Sequence, residues 1–544
     1  MSSEPQNFSA LANVLGIPPD SARPKIRLPG AGVEIRATAT ELYRVIARQN
    51  GMYYFGGQVV KPIQESTSSL PVLKILKPAE ARSEFEKFAA FESTTARGPT
   101  PSTISEDTAK ALLACDVAKQ ELPNVNGLIN APIPILHNGE FHLLQPGFDA
   151  RTGFLVSGQP LQESTDLEQA VEMVKAVLYD FEFQTDADTS RAIAAVLTPA
   201  LKFGSFIKGT IPIEIVEAND SQSGKGYLVL RRAAVYGEIP TEVTQVKGGV
   251  GSFDEKLASA LVKARPFITI DNYRGELNSP YLESFRTSQG NFSARTPGMP
   301  EAYVSASSYS VAITSNGLKS TTDLANRASF IRLVKGNLAD YTLIGGMRIL
   351  EYIRHLQPHF LGAVCKIIRH WHSNGMPKTN ESRHSFSDWA STLDWIVQNI
   401  FHLPPLLDGN DEAQVRLTKP HLSFLRQVAI KVDQEHTLDI PHSASHIVEL
   451  CERHDIEIPG VSSTRQYQED YPPKAVGKAM KQCFLDNSDE LTLENYRIVR
   501  QESVNETATL NRHSVKTYTF SKVGVARRAI QTGPPRSRGN RAAP

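Results

Sequence analysis

A loop suited to binding phosphate stands at Asn219-Asp-Ser-Gln-Ser-Gly-Lys-Gly226. An apolar run (211–216) precedes it and Tyr227-Leu-Val-Leu follows it, which is the strand–loop–helix order of a P-loop. Gly224 would let the backbone approach a phosphate, and Lys225 would reach the β- and γ-phosphates. Asn219 replaces the first template glycine and Gly226 replaces the magnesium-binding Ser or Thr, so the loop alone fits a chance turn equally well. The residues predicted to contact a nucleotide are Asn219, Asp220, Ser221, Gln222, Ser223, Gly224, Lys225, Gly226 and Tyr227.

Polar residues that end two further apolar runs could complete this site. The run 266–270 ends at Asp271, a position from which a carboxylate would bind Mg²⁺. The run 310–314 leads to Asn316, which could orient an attacking water. Arg327 and Arg332 flank the start of another strand, and one of them could stabilise charge on a phosphoryl group in a neighbouring subunit. In this order, the elements predict a P-loop ATPase.

The elements that position these residues alternate between helix and apolar strand, which favours a mainly parallel α/β sheet. The predicted fold is a multidomain α/β protein with an AAA+-like P-loop NTPase core, a helical lid and a C-terminal winged helix. Amphipathic spacing predicts helices at 105–119, 343–356 and 474–484, among others. The predicted organisation is a flexible N-terminus (1–30), two small α/β modules (31–98 and 99–162), the ATPase core (163–338), the helical lid (339–461), the winged-helix-like module (473–522) and a disordered arginine-bearing tail (523–544).

The motif set resembles a known family of P-loop ATPases. Its segments are Ser223-Gly-Lys-Gly226, Phe267-Ile-Thr-Ile-Asp-Asn272, Ile313-Thr-Ser-Asn-Gly317 and Asp323-Leu-Ala-Asn-Arg327 with Phe330-Ile-Arg-Leu333. They resemble ATPases of phages, plasmids and integrated mobile elements, related to superfamily 3 and AAA+ replicative helicases and often labelled primase–helicases. The resemblance spans about residues 112–520 and is most specific between 211 and 335.

The resemblance implies a hexameric or similar ring, with ATP and Mg²⁺ at the subunit interfaces and DNA, single-stranded, as the track. Lys225 would then bind phosphate, Asp271 the metal, Asn316 would be sensor 1 and Arg327 the arginine finger. Arg295 would be a second contact to the neighbouring subunit. A basic or aromatic pore loop is expected between Asp271 and Asn316, where Arg286, Arg295 and Tyr303 lie.

Two departures bear on hydrolysis. Gly226 removes a magnesium ligand, and Asn272 stands where a catalytic Glu is expected. Glu255 and Glu276 are nearby candidates to orient water. We therefore expect slow hydrolysis, or a site that mainly binds nucleotide and assembles. No primase signature is found, and the first 100 residues are too short for a catalytic primase domain.

The C-terminal module is the predicted DNA contact. Its helix carries Lys474 and Lys478, and Arg512 and Lys516 lie at the following hairpin, so these four could contact phosphates. The alternative is a winged helix that docks a protein. The tail after Lys522 carries arginines and no acidic residue, and could add nonspecific DNA affinity.

Composition limits the remaining options. Lys+Arg and Asp+Glu both number 58, so no general polyanion-binding surface is implied. The four cysteines are far apart and indicate reduced thiols. The sequence shows no apolar run long enough to span a membrane, and a cytoplasmic location is expected. The histidines at 355, 359, 370, 372 and 384 are interpreted as scattered helix-surface residues and not as a metal cluster.

Three functional hypotheses stay open. The leading one is an ATP-dependent DNA helicase or translocase that replicates a mobile element. The first alternative is an oligomeric nucleotide-binding switch in a multi-protein assembly such as phage defence, with partner proteins bound by the N-terminal modules or the winged helix. The second alternative is a DNA-binding replication initiator with a degenerate P-loop.

Overall fold

The computed structural model shows a mixed α/β chain that divides into a first unit, Met1–Thr418, and a second unit, Lys419–Pro544. Each unit is described by itself. No helix in the described ranges is long and apolar enough to cross a membrane. The structure describes residues 23–30, 32–64, 70–162, 166–218, 223–244, 251–273, 275–288, 290–296, 301–316, 318–334, 343–411, 413–414, 420–456, 458–459, 472–484, 488–493, 495–504 and 514–523.

The first unit begins with two small sheets and two helices. Their bounds are β1 (Lys25–Arg27), α1 (Ile35–Arg48), β2 (Tyr53–Phe55), β3 (Gln58–Gln64), β4 (Pro71–Ile75), α2 (Pro78–Phe88), β5 (Ala90–Thr95) and β6 (Gly98–Pro101). The sheets have the orders β1-β5-β6 and β2-β3-β4. Gly56 and Gly57 join β2 to β3 with φ angles of 59° and 91°, as a two-residue hairpin turn requires. Tyr43 of α1 meets Phe85 of α2 edge-on, which joins the two helices in one core.

The single helix predicted at 105–119 is wrong, because two shorter helices occupy the segment: α3 (Glu106–Leu113) and α4 (Val117–Glu121). Leu112 and Val117 are both buried in the same core. Five residues of continuous helix would turn their side chains about 140° apart. The break allows both to face inward. The strands that follow are β7 (Gly127–Ile129), β8 (Pro134–His137), β9 (Glu140–Leu143), β10 (Gly147–Asp149) and β11 (Phe154–Val156).

A six-stranded sheet forms the centre of the first unit. Its strands, from one edge to the other, are β12 (Glu182–Phe183), β21 (Ala328–Val334), β13 (Ile213–Ala218), β19 (Ser310–Ser315), β15 (Phe267–Tyr273) and β14 (Thr241–Glu242). All neighbouring pairs are parallel except β12 with β21. The carboxyl ends of five strands therefore share one edge of the sheet.

Helices cover both faces of this sheet. They are α5 (Leu167–Ala176), α6 (Asp186–Phe203), α7 (Lys225–Val235), α8 (Phe253–Val262), α9 (Pro280–Thr287) and α10 (Thr322–Ala325). Alternate residues of β13 point to different cores: Val216 packs with α6 and α7, whereas Ile215 packs with α8 and α9. Burial on both faces explains why the strands read as continuous apolar runs. The short strands are β16 (Glu276–Leu277), β17 (Asn291–Ala294), β18 (Ala302–Ser305) and β20 (Lys319–Ser320).

The last part of the first unit is mainly helical. Its elements are β22 (Leu343–Ile344), β23 (Met347–Arg348), α11 (Ile349–His355), α12 (Gln357–Ser373) and α13 (Ser387–Asn399). The helix predicted at 343–356 is wrong in its first turns, where β22 and β23 form a small hairpin. Gly345 and Gly346 have φ angles of 57° and 79°, which are left-handed turn values that end helical continuity.

In its described residues, the second unit combines three helices with a four-stranded antiparallel sheet. In chain order it holds α14 (Pro420–Gln434), β24 (Pro441–Ser443), α15 (Ala444–Arg453), α16 (Pro472–Cys483), β25 (Glu490–Leu493), β26 (Tyr496–Val504) and β27 (Ser514–Lys522). The sheet order is β24-β27-β26-β25. Val428 and Ile447 share a core with Met480 and Phe520. The division of the chain thus falls inside the range predicted as a helical lid (339–461), and α14 and α15 belong with the C-terminal module.

Candidate functional site

The loop between β13 and α7 leads directly into the first turn of α7. Residues 219–222, which include four of the predicted nucleotide contacts, lie outside the described residues. Gly224 caps α7 with a φ of +83°, and a Cβ there would lie 2.9 Å from the Phe181 ring. Only glycine fits this backbone and this spacing. The N-terminal N–H groups of α7 therefore follow a tight turn, a geometry that can hold an anion.

The side chain of Lys225 is held at the carboxyl edge of the sheet. Lys225 is the first residue of α7 and is 9% exposed. Its Nζ donates a hydrogen bond to Oδ1 of Asn316, just beyond β19, and another to Oγ of Ser223 at 3.3 Å. The structure thus brings together three residues that the sequence separates by up to 93 positions.

Asp271 lies at the same edge, on the neighbouring strand β15. Oδ1 of Asp271 accepts a hydrogen bond of 2.5 Å from the hydroxyl of Thr314. The same hydroxyl oxygen, Oγ1 of Thr314, accepts a hydrogen bond from the N–H of Asn272 at 2.7 Å. The β15–β19 register shifts between Ile270 and Tyr273, and Asn272 has a φ of +49°. This irregularity turns the strand end, and Asp271 and Asn272 are both exposed.

Gly226 lies next to the carboxylate of Asp271 on β15. A Cβ at Gly226 would lie 3.5 Å from Oδ1 of Asp271, an ordinary contact distance. We call this set the edge cluster: Ser223, Gly224, Lys225, Gly226, Asp271, Thr314 and Asn316. It combines a cation, a carboxylate and the amino end of a helix, which together suit a phosphate with a divalent cation. In open parallel α/β sheets, ligands bind beyond the carboxyl ends of the strands.

Aromatic side chains border the edge cluster on the side of α7. Arg231 of α7 donates to the backbone oxygens of Val177 and Tyr179, and its guanidinium lies 4.7 Å from the Phe181 ring and 5.1 Å from the Tyr227 ring. Burial lowers the pKa of the Arg231 guanidinium, and the partly buried Asp180 carboxylate, 3.3 Å away, counteracts that shift. Arg231 therefore fixes Phe181 above Gly224 and beside Tyr227.

The carboxylate of Glu255 stabilises the start of α8. Its Oε2 accepts the N–H of Gly251 at 2.6 Å, while Oγ of Ser252 accepts the N–H of Glu255 at 3.4 Å. Both bonds stabilise the amino end of α8, where Ser252 is the N-cap and the carboxylate binds the residue before it. The carboxylate is therefore engaged in a cap, and Glu276 is an exposed residue of β16.

Arg327 and Arg332 have different environments. Arg327 precedes β21, where its carbonyl accepts the N–H of Ile213 at the amino end of β13. β21 has seven residues, so about 20 Å of strand separates Arg327 from the edge cluster. Arg332 is 2% exposed and binds Asp188, which also binds Arg191. Arg332 is therefore a buried structural residue, and Arg327 cannot reach the edge cluster of its own subunit.

Three residues lie in the interval between Asp271 and Asn316 where a pore loop is expected, and burial excludes one of them from a pore. Arg286 is 1% exposed and donates to the carbonyls of Ile211 and Tyr309, and burial lowers its pKa to about 10. Arg295 follows β17 and is exposed. Tyr303 on β18 is 46% exposed, and its N–H donates to the carbonyl of Gly56 at 2.8 Å.

The DNA contacts predicted in the second unit lie on two elements. Lys474 and Lys478 are exposed on α16, and Lys516 is exposed on β27. Arg512 and the arginine-bearing tail from 524 onward lie outside the described residues.

The described histidines and cysteines form no cluster that suits a metal ion. Among the described residues, no group of three or more His, Cys, Asp or Glu side chains could hold a metal ion, and all four cysteines are free. The surface interpretation is wrong for His384, which is 3% exposed. Burial lowers the pKa of His384 to about 4, and its Nδ1 accepts the N–H of Phe386.

The structure also adds residues that the sequence did not identify. Thr314 links Asp271 to β19, and its only sequence signal is its position two residues before Asn316. Phe181 covers Gly224, although 43 positions separate the two. Both depend on long-range packing, for which local sequence carries no signal.

Comparisons with known proteins give only distant matches. No protein-family model matches the chain, and no curated protein matches it significantly. A solved structure described as "SCCmec type IV Cch - active helicase" is 12% identical with a TM-score of 0.31, and the match covers 84% of this chain and 90% of that one. The apo C-terminal region of NrS-1 is 10% identical with a TM-score of 0.32, covering 89% and 99%. An inhibitor-bound JCV helicase is 11% identical with a TM-score of 0.23, covering 47% and 66%. Likenesses this weak assign neither an activity nor a ligand to this chain.

Proposed function

We propose that this chain is an ATP-hydrolysing motor of the helicase type, with its nucleotide site at the edge cluster. The observation that carries the proposal is the convergence of Lys225, Asn316 and Asp271 at the carboxyl edge of the parallel sheet. Strand order explains it, because β19 lies between β13 and β15. The residue that follows β19 thereby stands between a phosphate-binding lysine and a metal-binding carboxylate.

The nucleotide would be held by residues of this loop and helix. Gly224 and the first N–H groups of α7 would bind phosphate oxygens, and Lys225 would exchange its amide partner for them. Charge-assisted hydrogen bonds to phosphate are roughly twice as strong as neutral ones, which favours that exchange. Phe181 and Tyr227 offer apolar surface for the base beside the phosphates.

Asp271 would hold Mg²⁺, since it is an exposed carboxylate next to Gly226 and is oriented by Thr314. One carboxylate, water and substrate phosphates suffice for this ion in many nucleotide sites. When bound, Mg²⁺ would neutralise charge developing on the phosphoryl group. Asn316 would orient the attacking water. Asn272 stands where a catalytic Glu is expected, so we expect slow turnover.

Arg327 would act on the nucleotide of a neighbouring subunit. It sits at the amino edge of the sheet, where it forms a 3.7 Å ion pair with Asp323 and donates a 2.9 Å hydrogen bond to the carbonyl of the same residue. The side chains of Arg327 and Asp323 are 24% and 70% exposed, so a neighbouring nucleotide would have to draw Arg327 out of these two contacts. A site that needs this residue requires at least two subunits, and a ring such as a hexamer supplies one for every nucleotide.

DNA would be the track, with Arg295 and Tyr303 on the β17–β18 hairpin as candidate contacts to a single strand. The resemblance to mobile-element ATPases supports DNA replication as the setting. A nucleotide-binding switch is the second candidate. It is favoured by Asn272, which stands where a catalytic Glu is expected, and by the engagement of the Glu255 carboxylate in the α8 cap.

The test is ATP turnover by the full chain and by Lys225→Ala, each with and without single-stranded DNA. Lys110→Ala is the matched control, because Lys110 is an exposed lysine on α3. The motor proposal expects DNA-stimulated turnover that Lys225→Ala abolishes and Lys110→Ala retains. ATP binding with turnover that DNA does not change would support the switch. Absence of both binding and turnover would refute both.

A further inference from the structure

The turn between α10 and β21 carries Arg327 and is held from two sides through its backbone carbonyls. The carbonyl of Arg327 accepts the N–H of Ile213 at 3.0 Å, which ties the turn to β13. The carbonyl of Asn326 accepts a hydrogen bond of 3.0 Å from Oγ of Ser385. Ser385 lies in the segment 374–386, which connects α12 to α13 and which we call the α12–α13 loop. The turn is therefore fastened to the sheet on one side and to this loop on the other.

His384 supplies a second hydrogen bond from the loop. Its Nε2 lies 3.2 Å from the carbonyl of Ala328, the first residue of β21. Its Nδ1 accepts the N–H of Phe386 at 3.1 Å, so Nε2 carries the proton of the neutral ring and donates it to that carbonyl. The ring also packs against Trp389 of α13, with 5.1 Å between the ring centroids, and His384 is 3% exposed. This hydrogen bond is therefore shielded from water.

The α12–α13 loop is attached to the core at its C-terminal end. Asp388, in the first turn of α13, accepts the N–H of Lys208 at 2.6 Å and forms an ion pair with Lys378 of the loop. Nε1 of Trp389 donates a hydrogen bond of 3.0 Å to Oγ1 of Thr198 on α6. Lys208 precedes β13, the strand that also holds the turn. The donors of the loop are therefore fixed relative to β13.

The guanidinium of Arg327 contacts Asp323, four residues earlier in the chain. It donates a hydrogen bond of 2.9 Å to the carbonyl of Asp323 and forms a 3.7 Å ion pair with the carboxylate of the same residue. Asp323 lies on α10, which leads directly into the turn, so this partner moves together with Arg327. The direction of the guanidinium therefore depends on how the turn is set against the sheet and the α12–α13 loop.

We infer that His384 and Ser385 are positioning residues for Arg327, so that the α12–α13 loop sets the direction in which Arg327 reaches a neighbouring subunit. Carbonyls need hydrogen-bond partners in any fold, so the two bonds alone would also fit a structural role. Their location favours positioning, because they end on the residues immediately before and after Arg327. The inference deepens the proposed function and rests on it, since Arg327 must act on the nucleotide of a neighbour.

The test compares the ATP turnover of two double variants of the full chain. His384→Leu/Ser385→Ala removes both donors, whereas His384→Gln/Ser385→Thr keeps a donor at each position. We expect the first variant to lower kcat by about 10-fold or more, because a displacement of about 1 Å at a catalytic group can cost roughly 100-fold. Its KM for ATP should not change, because the edge cluster lies at the opposite edge of the sheet. The second variant should retain most of the wild-type kcat.

Ser382→Ala is the matched control, because Ser382 is an exposed serine of the same loop, and it should leave turnover unchanged. Circular dichroism and thermal unfolding verify the folding of each variant. Ser385 is also exposed, so Ser385→Ala alone replaces the first double variant if that variant does not fold. It should lower kcat in the same direction, again with an unchanged KM for ATP.

Mixed subunits separate the positioning of Arg327 from damage to the variant's own nucleotide site. A subunit whose Arg327 is displaced keeps its own site intact. It should therefore regain turnover when mixed with Lys225→Ala subunits, which have an inactive site but a correctly placed Arg327. It should gain nothing from Arg327→Ala subunits. A variant with a damaged nucleotide site would behave in the opposite way.

The outcomes distinguish a failure of this inference from a failure of the proposed function. Absence of wild-type turnover, or full turnover by Arg327→Ala, refutes the proposed function and the inference with it. If Arg327→Ala is inactive, three results overturn the inference alone. They are full turnover by the variant that lacks both donors, an equal loss in the variant that keeps them, and recovery with Arg327→Ala subunits instead of Lys225→Ala subunits.

Discussion

Serine at position 226 would restore the missing oxygen beside Asp271, and its effect can be worked out from the structure. The φ angle of Gly226 lies outside the left-handed region, so the backbone accepts a side chain. An added Cβ would lie 3.5 Å from Oδ1 of Asp271, which is an ordinary van der Waals distance. A hydroxyl one bond further out would therefore stand next to the carboxylate, where Mg²⁺ is proposed.

Two effects must be separated, and Gly226→Ala separates them. Replacing glycine in a helix gains up to about 1 kcal/mol for alanine and less for serine, so both variants should be slightly more stable than the wild type. Only Gly226→Ser adds an oxygen. A hydrogen bond to a charged group contributes about 1.5–3 kcal/mol, and 1.4 kcal/mol corresponds to a tenfold change. We expect the Mg²⁺ concentration for half-maximal turnover to fall about 10-fold in Gly226→Ser relative to Gly226→Ala.

The assay is ATP turnover at saturating ATP across a magnesium series, with thermal unfolding of each variant measured in parallel. If both variants show the same magnesium dependence, the hydroxyl does not reach a metal, and the assignment of Asp271 as its ligand fails. If both variants are less stable than the wild type, the contact at 3.5 Å is tighter than the structure shows. The magnesium dependence of the two variants then does not report on the added hydroxyl.

Three further outcomes follow from the described contacts. Asp188→Asn leaves the buried Arg332 without its carboxylate, which should lower the free energy of unfolding in urea by about 3–5 kcal/mol. Burial raises the pKa of Asp188, but the neighbouring guanidinium charges outweigh this effect and lower the pKa overall. The stabilisation by Asp188 is therefore present above about pH 4 and is lost as the pH falls through the folded pKa. His384 is kept neutral by burial with a pKa of about 4, so the chain should lose about 3 kcal/mol of stability between pH 7 and pH 4, and His384→Gln should flatten that dependence. Mixing Lys225→Ala subunits with Arg327→Ala subunits should recover part of the ATP turnover that each lacks alone, and a mixture as inactive as its parts would exclude action between subunits.

Local sequence was enough to place Asp271 and Asn316 on the carboxyl ends of buried strands. In each case a short apolar run stops at a polar residue, and parallel strands direct those ends to one edge. Local sequence does not show which strands are neighbours, because strand pairing joins residues nearly 100 positions apart. The contact of Asn316 with Lys225, and the position of Thr314 beside Asp271, depend on β19 lying between β13 and β15.

Arginines were the least predictable residues of the site. Arg286 and Arg332 occupy segments where a pore residue or an arginine finger was expected, but both are buried. Arg286 satisfies two backbone carbonyls and Arg332 satisfies Asp188, and each partner is distant in sequence. Arg327 and Arg286 carry the same charge, so only packing tells an available side chain from a structural one.

The bond between Lys225 and Asn316 also links nucleotide binding to the sheet. In this structure the amide oxygen of Asn316 is one hydrogen-bond partner of Lys225, and the hydroxyl of Ser223 is another. A phosphate that binds Lys225 would remove this cation from the Asn316 amide. That amide follows β19, the strand that also carries Thr314. Because Thr314 holds Asp271 and accepts the N–H of Asn272, any movement of β19 that follows would reach the proposed metal ligand and the irregular end of β15 together. Binding of phosphate at one strand and orientation of the carboxylate at another are therefore joined through a single intervening strand.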